Sequence, residues 1–202
     1  MTTRIIGTGS YVPEQIVTND DLAKIVETSD EWIRSRTGIG ERRIATLDST
    51  SDMAARAAQA ALEQAGVGAE EIDLILLGTS SPDHCFPNGA CEVQARIGAV
   101  NAACFDISAA CTGYVFALNT AHAFISTGLY RMALVIGADV LSKLIDWSDR
   151  GTCVLFGDGA GATVVRADER GILGMNMQSD GAKGGVLTCG SRSNGNFLLG
   201  KK

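Results

Sequence analysis

The stretch ACFDISAACTGYVFALNTAHAFISTG, residues 103–128, decides the fold class. Its first six residues form a short apolar run that reads as a buried strand. Ser108, Ala109 and Ala110 are small and let the chain turn sharply. From Cys111 onward the sequence is apolar on nearly every helical face, so the spacing predicts a long helix inside the domain, opened by the cysteine itself. A strand running through a tight turn into a buried helix is the repeating unit of layered α/β architecture.

The same grammar continues outward. IDLILLGTS (72–80) and MALVIGADVL (132–141) are near-continuous apolar runs, as expected for strands buried on both faces of a parallel or mixed sheet. Arg4 to Gly9 reads as a further strand, turned by Ser10 to Pro13. Asn19 is expected to cap a short helix through Ile25. Ser29 is expected to cap another, with Trp32 in its first turn and Gly38 ending it. The Ala-rich run DMAARAAQAALEQAG predicts a longer helix from Ser51, closed by Gly66. Pro87 to Ile97 reads as helix. TCVLFGDGAGATVVRA (152–167) reads as two strands around a Gly-rich turn. ILGMNMQ, after Gly171, is a strand candidate, followed by a Gly-rich tail ending in FLLGKK. Residues 1–170 are read as one domain, and 171–202 as a Gly-rich segment leading out of it.

Composition excludes several function classes. The net charge is −6 and no basic block stands out, which argues against nucleic acid as a partner. No run reaches the roughly 18 apolar residues that cross a bilayer, and the N-terminus lacks the charged-then-apolar pattern of a secretion signal. The expected location is the cytoplasm, with no membrane partner. Six cysteines show no paired spacing for zinc, so no metal site is expected and the thiols should be free.

Cys111 is the residue with chemistry. A cysteine at a helix N-terminus faces unpaired N–H groups and the positive end of the helix dipole, which favour thiolate over thiol. Backbone N–H groups at the same turn can also stabilise an oxyanion. Neither histidine offers a base. His122 lies eleven residues along the same helix, roughly 16 Å away at 1.5 Å per residue, and His84 sits in a loop. GDGAGA (157–162) is not a dinucleotide loop, because TVVRA, which follows it, favours a strand and not a helix. Trp32 and Arg36, four apart on one helix, present an indole beside a guanidinium, a combination suited to an adenine ring and phosphates. Arg150 stands in a loop where it can meet a second anionic group.

Five segments, GTGSYVPEQ (7–15), TSDEWIRSRTGI (28–39), FPNGACEVQ (86–94), DISAACTGY (106–114) and DRGTCVLFGDGAGA (149–162), occur in an order and spacing that resemble the bacterial β-ketoacyl-[acyl carrier protein] synthase III family. The resemblance covers essentially the whole chain. It implies a thiolase-like fold of two similar α/β halves, of which this chain carries the first. It implies a decarboxylative Claisen condensation: Cys111 takes an acyl group from acyl-CoA, and malonyl-[acyl carrier protein] supplies the attacking carbanion. Acyl-CoA is then a substrate, and no cofactor is expected. The resemblance puts Trp32 and Arg150 about the CoA adenine, with Thr28 and Arg36 nearby. It puts Leu141 and Phe156 behind the cysteine, and makes Phe86 the residue that a neighbouring subunit lends to the acyl pocket, hence a homodimer. The family's histidine and asparagine belong to the C-terminal half, which is expected as a missing partner of this chain. The alternative is a scaffold that binds acyl-CoA or a carrier protein without catalysis.

Overall fold

The computed structural model describes residues 1–190, and the end of the expected Gly-rich tail lies outside them. The strands are β1 (Thr2–Tyr11), β2 (Ile16–Thr18), β3 (Glu41–Arg43), β4 (Leu74–Gly78), β5 (Ala103–Ile107), β6 (Met132–Val140) and β7 (Asp158–Asp168). The helices are α1 (Asn19–Leu22), α2 (Asp30–Thr37), α3 (Thr50–Ala65), α4 (Gly89–Ile97), α5 (Gly113–Ser126) and α6 (Arg150–Cys153). Five strands form one mixed sheet in the order β1-β7-β6-β4-β5. β4 runs parallel to β5 and β6, whereas β7 is antiparallel to both β6 and β1. β2 and β3 form a separate ribbon.

Every residue of β4 is buried, as its apolar run requires. Ile75 and Leu77 face one side with Leu134 and Ile136, against Met53, Ala57 and Ala61 of α3. Leu74 and Leu76 face the other with Val135, against Ala117, Ala121 and Ile125 of α5. The alanines of α3 let it sit very close to the sheet. A Cβ at Gly9 would collide with the backbone of Ala57 and Ala61, so β1 must carry glycine there. A third, smaller cluster joins Leu22, Ile33, Cys153 and Val154. Within it Arg42 is buried, donating to Val17 O, Asn19 Oδ1 and Val154 O.

Several expectations are corrected. α1 is only one turn and is capped by Thr18, not Asn19. The Asn19 amide is used instead inside the core, donating to Asp30 Oδ1 and Ile39 O and accepting from Arg42. α3 starts at Thr50, one residue earlier than expected, and is capped by Ser49. Ser51 is buried, and its hydroxyl meets Asp83 and Glu92. The stretch 152–167 is not a pair of strands around a glycine turn. It is the end of α6 followed by one long strand, β7, which runs through Gly159 and Gly161. The Asp158 carboxylate explains the motif: it accepts from Ala45 N, Ser142 N and Ser142 Oγ, and so ties three segments together. ILGMNMQ forms no strand; Ile172 alone is tied to β1, through Thr2 and Thr3. α5 is not enclosed all round, since Val115 is 48% exposed. The caps at Ser29, Gly38 and Gly66 are as expected, with both glycines at positive φ.

Candidate active site

β5 delivers the chain to Ser108 and the backbone then turns. Ala110 takes φ +46°, a left-handed conformation costly for a residue with a Cβ. Ala110–Thr112 form a single 3-10 turn, and the α-helix proper begins at Gly113, two residues later than the sequence suggested. The turn uses the N–H groups of Thr112 and Gly113, which donate to Ala109 O and Ala110 O. Cys111 N–H has no protein acceptor among the described residues. No side chain caps α5.

The start of α5 rests directly on the sheet because both contacting residues lack a side chain. A Cβ at Gly78 would lie 2.5 Å from Gly113 C. Gly137, next along the sheet, makes room for Tyr114 in the same way. Cys111 is therefore held over the C-terminal end of β4, exposed, at the edge of a cavity of about 220 Å³. Gly78, Tyr114, Gly137, Asp139, Gly157 and Gly159 line that cavity with it. The crevice beyond the carboxyl ends of parallel strands is where open α/β sheets bind ligands.

Exposure alone does not single out Cys111, since Cys85 and Cys189 are exposed too. Burial, with Cys91 alongside, pushes the Cys104 thiol up to about 12. Burial also raises Cys153, and these two are inert packing groups. Leu141 and Phe156 are half-buried and do not line the cavity, although Gly157, next to Phe156, does. Neither histidine reaches it. His122 Nδ1 meets Thr3 Oγ1 at 2.9 Å, and His84 Nδ1 meets Glu92 Oε1 at 2.6 Å. Asp139 was not anticipated. Its signal was a charged residue inside the apolar run 132–141, which the sequence reading took as part of a buried strand.

A second group forms around Trp32. The Arg36 guanidinium lies 4.5 Å from the indole centroid and the Arg150 guanidinium 4.8 Å from it. Arg150 also donates to Glu27 O at 3.1 Å. Beside that carbonyl the Thr28 hydroxyl oxygen is buried without a partner among the described residues. Thr28, Trp32, Arg36 and Arg150 are thus one cluster, although Arg150 is more than a hundred residues away in sequence. Phe86 stands apart from both groups, 86% exposed on the loop before α4.

Residues 105–181 match the model of the family described as 3-Oxoacyl-[acyl-carrier-protein (ACP)] synthase III. In sequence and in fold, this region of the chain is similar to synthase III proteins. It is 62% identical over 186 residues to a β-ketoacyl-[acyl-carrier-protein] synthase III of Clostridium acetobutylicum, covering 92% of this chain and 57% of that protein. A Synechococcus elongatus synthase III is 56% identical over 198 residues, covering 96% of this chain and 59% of that one. Among solved structures, the Pseudomonas aeruginosa synthase III superposes with a TM-score of 0.91 at 44% identity, covering 96% of this chain and 62% of that one. The Aquifex aeolicus synthase III gives a TM-score of 0.82 at 55% identity, over 83% and 55%. The chain thus spans a little over half the length of the synthases it matches, and it carries the first part of their thiolase-like layered α/β fold.

Proposed function

We propose that this chain supplies the acyl-accepting part of a β-ketoacyl-[acyl carrier protein] synthase III, with Cys111 as the nucleophile. The observation that carries the reading is the position of Cys111: exposed at a cavity, on a strained turn, at the uncapped start of a helix that packs one face on the sheet. The sulfur attacks the thioester carbonyl of acyl-CoA, most simply acetyl-CoA. The C–S bond to CoA breaks, and CoA departs as its thiolate and takes up a proton. The Cys111 N–H, without another acceptor, is available to the oxyanion of the tetrahedral intermediate. Condensation follows when malonyl-[acyl carrier protein] loses CO2. The carbanion attacks the acyl-cysteine, and Cys111 is released as the 3-oxoacyl product forms on the carrier. The family resemblance assigns promotion of that step to a histidine and an asparagine of the C-terminal half. Neither histidine of this chain can substitute, because both are engaged elsewhere. No resident cofactor takes part.

The CoA nucleotide is read onto the Trp32 cluster. An adenine between Trp32 and Arg150 needs a separation of about 7 Å, twice the normal ring contact. The observed 4.8 Å means that Arg150 must leave the indole face, and with it Glu27 O, when the base enters. The unpartnered Thr28 hydroxyl then gains the partner that a buried polar atom lacks. Leu141 and Phe156, beyond the cavity, are assigned to the acyl pocket. A homodimer is supported by the open edge of β5, which among the described residues pairs with β4 alone, and by Phe86, which projects from the loop before α4. Free thiols throughout, and no helix among the described residues long and apolar enough to cross a membrane, are in keeping with a cytoplasmic location.

Incubation with radiolabelled acetyl-CoA tests the reading. Label should appear on Cys111 and be lost in Cys111→Ser. Reversible binding with no covalent label would overturn the nucleophile and leave a binding scaffold in its place.

A further inference from the structure

The loop between β4 and α4, residues 79–88, begins at the rim of the Cys111 cavity and carries Phe86 at its far end. Its first three residues hang on one oxygen. Asp139 Oδ1 accepts from Thr79 Oγ1 at 3.0 Å, Ser80 N at 2.7 Å, Ser81 N at 3.0 Å and Ser81 Oγ at 2.8 Å. Ser81 Oγ in turn accepts from Val140 N at 2.8 Å, which closes the knot back onto β6. Strand alternation places Asp139 on the α5 side of the sheet. Ala138 and Val140 pack into the α3 core, and Val135, four residues before Asp139, packs into the α5 core. The same carboxylate residue therefore walls the cavity of Cys111 and holds the loop.

The middle of the loop is anchored differently. The Asp83 carboxylate accepts from Thr50 N and Ser51 N, both at 2.9 Å, and Thr50 Oγ1 donates to Ser81 O. His84 is tied to Glu92. These contacts face α3 and α4 and do not touch the cavity of Cys111. Besides the chain itself at Gly78 and the Thr79 N–H donated to Ile107 O, the Asp139 carboxylate is the side-chain anchor shared between the two places among the described residues. No cation pairs with Asp139 among the described residues. Its charge is met by these oriented dipoles, so it cannot shift without the loop shifting with it.

We propose that Asp139 is a positioning residue that couples occupancy of the Cys111 cavity to the placement of the loop bearing Phe86. A group attached to Cys111 presses on the Asp139 wall. The four hydrogen bonds carry that displacement to Ser80 and Ser81, and from there to the loop. The coupling lies within one chain; its use in setting the acyl pocket of a second copy rests on the function proposed above.

The test needs no natural substrate. In a background with the exposed Cys85 and Cys189 changed to serine, Cys111 is alkylated with iodoacetamide and amide hydrogen exchange is followed. Alkylation should change the exchange of the Ser80 and Ser81 amides about threefold. In Asp139→Ala those amides should exchange about tenfold faster before alkylation and should not respond to it, while α3 keeps its protection. Asp139→Asn keeps one acceptor oxygen and should restore part of the response; it also carries the comparison should the alanine variant fail to fold. A response of equal size with and without the carboxylate, or no response in the parent chain, overturns the proposal. Because iodoacetamide needs no enzymatic acylation, this outcome is separable from a failure of the acetyl-CoA experiment.

Discussion

α3 and α5 cover opposite faces of one sheet and begin in opposite ways. Both face the same problem, since the first N–H groups of a helix have no partner within it. α3 solves it internally. Ser49 and Asp52 form a reciprocal capping box, and Asp83 from the loop between β4 and α4 accepts the amides of Thr50 and Ser51. α5 leaves it open. It has no side-chain cap, enters through a strained Ala110, and presents Cys111 beside a cavity. Where a helix only covers the core, its start is sealed by the chain. At Cys111 the start is held by backbone contact with the sheet, and the Cys111 N–H has no acceptor among the described residues.

That contact is the place to break the comparison most severely. In Gly78→Ala the new methyl would meet Gly113 C at 2.5 Å and Tyr114 N at 2.7 Å, backbone atoms that cannot rotate away. Urea unfolding should show a loss of about 3 kcal/mol, the upper end for overpacking. The alkylation rate of Cys111 should change with it, because the turn is lifted off β4. A loss below about 1 kcal/mol would mean that α5 is positioned by its apolar face alone, and that the glycine contact is incidental.

Cap deletions come next. Ser49→Ala removes the α3 box and should cost about 1 kcal/mol. Thr112→Ala is the matched change at the α5 start, where the side chain caps nothing and its hydroxyl donates back to Ala109 O. It should stay within about 0.5 kcal/mol of the parent. Equal losses at the two positions would erase the distinction between a sealed and an open start.

Acid sharpens the same contrast with a smaller effect. Burial alone would raise the Asp83 and Glu92 carboxyls, but the Ser51 hydroxyl on both, the Ser51 and Thr50 amides on Asp83 and His84 on Glu92 outweigh it and hold both below the ordinary range. A carboxyl with a depressed folded value stabilises the protein above its unfolded value, near 4, and that contribution is lost as pH falls through the folded value. The urea midpoint should therefore decline on acidification below about pH 5. Ser51→Ala, which removes the hydroxyl that both groups share, should give a shallower decline. An unchanged acid slope would show that the α3 start draws little from these carboxylates.

How much of this was legible in the sequence follows the range of the interactions. The strand 74–78 announced itself because both faces are buried, and α2 and α3 were closed by glycines whose left-handed conformation is a local requirement. Cys111 was legible from strand, small turn and helix in succession, though the 3-10 turn and positive φ were not. Asp139 and Asp158 were not legible as anchors. Their partners lie up to 60 and 113 residues away, and nothing local names them. GDGAGA was misread as a turn because glycine usually marks one. Here Gly157 packs closely on the Arg43 backbone, and Gly157 and Gly159 line the cavity that Cys111 faces. Asn19 was read as a cap because Asn favours caps; a buried Arg42 recruited it instead.

The smallest effect tests whether the turn before Cys111 stores strain of its own. At φ +46° Ala110 pays a left-handed penalty of about 1 kcal/mol. Ala110→Gly removes it, but glycine also widens the unfolded ensemble by roughly 0.4–1 kcal/mol. The two terms nearly cancel, so stability should move by no more than about 0.5 kcal/mol. A gain well beyond that would mean that the strain is uncompensated and that the fold sacrifices stability to place the sulfur. Near-neutrality combined with faster, less selective alkylation of Cys111 would mean the reverse. The alanine then serves to stiffen the turn, and the cost of its conformation is borne to keep the free N–H and the sulfur in fixed relation, which is what separates the open start of α5 from the sealed start of α3.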